Sequence, residues 1–61
     1  MINLTSKELT LLSEQLGGEQ LLVKRFRDAA TNCTDPQFKQ QFEQIADRHQ
    51  QHYNTLQNFL K

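Results

Sequence analysis

The sequence predicts an all-α protein, an antiparallel two-helix hairpin that self-associates, most simply as a homodimer forming a four-helix bundle. Three observations predict it. Two long segments carry apolar residues in alternating steps of three and four, the spacing of a helix face turned toward a partner helix. Each segment opens on a helix-capping signature, and only a few residues separate them. The chain has 61 residues and a single cysteine, so it forms one domain and cannot close an internal disulfide. Chains this short bury only about 60% of their unfolded surface and usually need a metal or a partner.

Helix one is expected over about 6–32. Thr5-Ser6-Lys7-Glu8 matches the capping box, in which a hydroxyl caps backbone N–H groups and a Glu three residues on reaches back. Leu9, Leu12, Leu16, Glu19, Val23, Phe26, Ala30 and Cys33 then form its seam. Gly17-Gly18 is the local objection, since each Gly costs about 1 kcal/mol against Ala inside a helix. The apolar register crosses the pair without a change of phase. The expectation is therefore a continuous helix with a soft point that invites a kink or a close backbone contact.

Thr31-Asn32-Cys33 suits a connection. Thr34-Asp35-Pro36-Gln37 again has the capping form, with Pro in the first turn, where its missing N–H costs nothing. Thr34 or Asp35 can serve as the cap. Helix two is expected over about 36–60, with Phe38, Phe42, Ile45, His49, His52, Leu56 and Phe59 as its seam. Seams of this kind favour packing near +20°. Leu22, Ala29, Ala46, Tyr53 and Leu60 flank the two seams and widen the apolar stripe beyond what one facing helix covers.

A short connection forces the helices antiparallel, and residues then pair with numbers summing to about 68. Ala30 meets Phe38, Phe26 meets Phe42, Val23 meets Ile45, Leu12 meets Leu56 and Leu9 meets Phe59. The same rule sets Glu19 opposite His49 and Leu16 opposite His52. Three polar seam residues thus gather at one level.

Two readings of that cluster stand. In one, Glu19, His49 and His52 are metal ligands, since residues three apart share a helix face and two His with one carboxylate suit zinc or non-haem iron. In the other they form a polar layer, with Glu19 accepting hydrogen bonds from His49 and the layer fixing register and oligomeric state. A buried carboxylate requires some partner in either case. Tyr53 sits where its hydroxyl can join the layer or its ring simply packs.

The seven basic and seven acidic residues balance, which argues against nucleic acid or anionic membrane as a partner. Lys24, Arg25, Arg27 and Arg48 read as a solvated face, and Asp28 and Asp47 are expected opposite the seam. Cys33 reads as a small packing residue and fits a reducing compartment. No apolar run approaches the roughly 20 residues of a membrane span. Met1-Ile2-Asn3-Leu4 lacks the features of a secretion signal, so a cytoplasmic location is expected. No nucleophile–base pair, phosphate loop or Cys-x-x-Cys is present, and the reading is non-enzymatic.

Leu4-Thr5-Ser6-Lys7-Glu8-Leu9, Glu19-Gln20-Leu21-Leu22-Val23-Lys24 and His49-Gln50-Gln51-His52-Tyr53-Asn54-Thr55-Leu56 resemble the small spore coat protein F-like family, which looks like a half-sized relative of the ferritin-like superfamily. The resemblance implies a structural or assembly role in a spore coat, with other coat proteins as partners. It also implies a ferritin-like four-helix bundle, in which carboxylates and Glu-x-x-His motifs hold two metals. Glu19 looks like the helix-one carboxylate of that scheme. Arg48 or His49 stands where a second Glu belongs, which puts di-iron chemistry in doubt.

Overall fold

The computed structural model describes residues 4–60; Met1, Ile2 and Asn3, on which the signal-peptide expectation partly rests, lie outside the described residues. Two helices, α1 (Ser6–Asn32) and α2 (Pro36–Asn58), pack against each other. Both starts follow from local chemistry. The Glu8 N–H donates to Thr5 Oγ1 at 3.1 Å, and the Thr5 N–H donates to Glu8 Oε1 at 2.9 Å, a complete capping box. The Thr5 N–H, assisted by the Thr5 hydroxyl, holds the Glu8 carboxyl below its ordinary value. Asp35, not Thr34, caps α2, its Oδ1 accepting from the N–H groups of Gln37 and Phe38. Phe59 closes α2 two residues short of the expected end.

α1 runs unbroken through Gly17-Gly18. Neither glycine has a positive φ, and nothing lies within 4 Å of where a Cβ would stand on either. The hairpin itself therefore gives no reason for glycine there.

The register is the expected one. The rings of Phe26 and Phe42 lie 6.2 Å apart, and Glu19 meets His49. The centre of α2's packing face is shifted, however. Ala46, expected only as a flank, is completely buried, along with Ala30 and Glu19, while Phe42 and Ile45 are half-buried. The small residue takes the line of closest approach, and larger neighbours splay to either side.

Both ends of the expected seam open outward. Leu9, Phe38 and Phe59 are exposed, so the expected contacts Leu9–Phe59 and Ala30–Phe38 do not bury their larger members. Asp47 is exposed as expected but is not opposite the seam. It accepts from Arg27 across the helix pair at 3.1 Å. Both partners are well solvated, and such pairs typically contribute under about 1 kcal/mol. Lys24 pairs with Asp28 within α1. Cys33 is the C-cap of α1 and is half-buried. Among the described residues, no helix is long and apolar enough to cross a membrane.

Candidate metal centre

Glu19 is the central residue of α1 (Ser6–Asn32), so the cluster lies halfway along the hairpin. One donor atom from each of Glu19, His49 and His52 falls within 4.8 Å of the others. All three sequence-derived candidates are thus brought together. The Glu19 side chain is 8% exposed and that of His49 is 24% exposed, whereas His52 is 55% exposed at the edge. The site is closed on the side of the hairpin axis and open on one flank.

His49 Nδ1 lies 2.8 Å from Glu19 Oε2. An ionised carboxylate only accepts, so His49 carries its proton on Nδ1 and donates. Glu19 Oε1 accepts from Gln15 Nε2 at 3.1 Å. Among the described residues no buried side-chain nitrogen or oxygen lacks a partner. The His49 hydrogen bond is the main reason the Glu19 carboxyl is held below its ordinary value; burial opposes it, and Gln15 and the two imidazoles assist. His52 Nδ1 stands 3.6 Å from Glu19 Oε2, beyond hydrogen-bond range.

Two neighbours were not anticipated. Phe26 stacks on His49 at 5.9 Å and 14°, fixing the plane of the ring. Gln15 orients the carboxylate, and its only sequence signal was its place four residues before Glu19. Tyr53 does not join the layer; its hydroxyl accepts from Gln20 Nε2 at 3.3 Å. His49 and His52 meet edge to face at 5.6 Å.

As it stands, the geometry is that of a hydrogen-bonded polar layer. Holding a metal would require each donor pair to adjust, since the three donor atoms now lie as much as 4.8 Å apart. Ligands 2.0–2.1 Å from a tetrahedral ion lie about 3.3 Å apart, so Glu19 and His49 must separate by roughly half an ångström. The Nδ1 proton must leave, and the ring would pass to its other tautomer. Gln15 would then supply the outer contact that ligating carboxylates usually have. Beside Glu19 and His52 a shallow cleft of about 350 Å³ is lined by Gln15, Thr55 and Leu56, on the flank where the cluster is open.

Comparison of the chain with protein-family models, with curated proteins and with solved structures found no match.

Proposed function

We propose that this protein is a non-enzymatic assembly module, a hairpin that pairs with a second copy into a four-helix bundle. One observation carries the reading: the hairpin alone leaves too much of itself wet. A compact monomer of 7.2 kDa exposes about 4,100 Å², whereas this chain exposes 4850 Å². The surplus is close to the ~800 Å² that one partner contributes to a standard interface. Among the described residues no large side chain is fully buried, and the radius of gyration is 14.3 Å against about 10.5 Å for a compact chain of this length. The resemblance to small spore coat proteins agrees with an assembly role, with a spore coat as the site of action and other coat proteins as further partners. Sedimentation equilibrium at micromolar concentration is expected to give twice the chain mass. A compact, cooperatively folded monomer would overturn the reading.

A second reading is favoured by the convergence of Glu19, His49 and His52 donors. In it the protein is a metal-binding ferritin-like half-bundle that takes up zinc or iron. The ion would be held by one carboxylate and two imidazoles, with the cleft beside His52 left for a further ligand. Elemental analysis of protein purified without chelators tests it; a metal-free result that persists after incubation with zinc and ferrous iron would remove it.

A further inference from the structure

The two edges of the hairpin differ. One is bridged by polar pairs, Arg27 with Asp47 and Gln20 with Tyr53. The opposite edge holds the cleft of Gln15, Glu19, His52, Thr55 and Leu56. At 100° per residue, Leu11, Gly18, Leu22 and Ala29 line that second edge on α1, and Phe38, Ile45, Leu56 and Phe59 line it on α2. Leu11 and Phe38 are each 56% exposed there and Phe59 is 44% exposed. The Glu19 cluster opens on the same face, at mid-length.

We infer that two copies pair through this face with their loops at opposite ends, α1 crossing α1 at Gly18. This rests on the paired-hairpin reading above and specifies its geometry. Three features select it. A two-fold axis at the level between Glu19 and Gln20 sets Leu22 of each copy over Gly18 of the other, and the space beside Gly18 is empty. Glycine at a crossing lets backbones approach, which accounts for a residue that costs about 1 kcal/mol in an isolated helix. The same axis brings Glu14 of one copy beside Arg25 of the other, twice. Both are exposed, and neither forms an ion pair among the described residues. It also sets Phe38 near Phe59 of the second copy, covering two rings that a lone hairpin leaves in water.

The alternative two-fold, with both loops at one end, lays α1 over α2 of the second copy. It covers apolar surface equally well but leaves Glu14 and Arg25 without opposite charges on the facing edge of α2. The proposed arrangement has one unfavourable contact, Arg48 facing Arg48 at the rim, where water and salt screen it. The clefts beside Glu19 and His52 face each other near the axis, so the second copy closes the open flank of the cluster.

The test uses the whole chain. A short bismaleimide is expected to cross-link the double variant C33S/R48C, because residue 48 lies at the axis, and to leave the native Cys33 thiols unlinked at opposite ends. A dimer that links through Cys33 and not through position 48 overturns this geometry while leaving the assembly reading intact; a monomer removes both. Gly18→Gln and Gly17→Gln supply an independent check. Gln is the better helix former at both positions, yet Gly17 faces away from the proposed interface. Gly18→Gln is expected to raise the dimer dissociation constant by about tenfold or more, the usual effect of overfilling a packed contact, with Gly17→Gln at or below the wild-type value. Equal dissociation constants for the two variants would overturn the crossing at Gly18.

Discussion

Phe42→Ala is expected to lower the melting temperature and the extent of association together. The Phe42 ring packs against Phe26 at 6.2 Å, and Phe26 in turn stacks on His49. Loss of the ring therefore removes one aromatic contact and loosens the surface that orients the cluster. Phe→Ala in a full core costs about 3–5 kcal/mol. Phe42 is only half-buried in one hairpin, so a loss of about 2–4 kcal/mol is expected. For a domain this small that corresponds to roughly 15–30 °C, and it approaches the whole stability available to many small proteins. Thermal melts at matched chain concentration measure it. A variant that melts with the wild type would show that the Phe26–Phe42 contact contributes nothing.

The elements most accurately legible in the sequence were those set by neighbours in the chain. The Thr5 capping box and the Asp35-Pro36 start placed both helix beginnings, because a cap needs only a hydroxyl or carboxylate and the next three N–H groups. The register was also legible, since a three-residue connection leaves an antiparallel pair little freedom to slide. Phe26 opposite Phe42 and Glu19 opposite His49 followed from it.

The rotation of each helix about its own axis was not legible. An apolar stripe spans a wide arc, and the pattern does not say which line within it lies closest to the partner. Ala46 took that line on α2. As a result Phe38 and His52 turned outward, and Asp47 came within reach of Arg27. The cluster of Glu19, His49 and His52 was legible because its three members share one level. Gln15 and Phe26, which hold two of them in place, looked like an ordinary polar residue and an ordinary seam residue. Self-association belongs to a surface between copies, for which one chain's pattern offers a width of apolar stripe and no geometry.

Glu19, His49 and His52 are expected to respond to substitution as a unit. With zinc or ferrous iron at about one hundred times its dissociation constant, the wild type gains about 2.7 kcal/mol, and each of Glu19→Ala, His49→Ala and His52→Ala loses most of that gain. The gain shrinks as pH falls, because the ligands bind metal only when deprotonated. In metal-free protein the carboxylate of Glu19 supplies its own pH dependence. Its folded-state value lies below the ordinary 4.5, chiefly through the His49 hydrogen bond. Its contribution to stability is therefore fully present above about that pH and is lost as pH falls through the lower, folded-state value. Glu19→Gln lacks this contribution, so its stability deficit against wild type is expected at neutral pH and to narrow in acid. Melts of wild type and the variants, with and without metal and at several pH values, separate the two roles. A metal shift confined to the wild type assigns the cluster to a metal. A chelator-insensitive deficit in Glu19→Gln that narrows in acid assigns it to a polar layer. Equal melting of all the proteins under every condition would mean that the Glu19–His49 contact does neither.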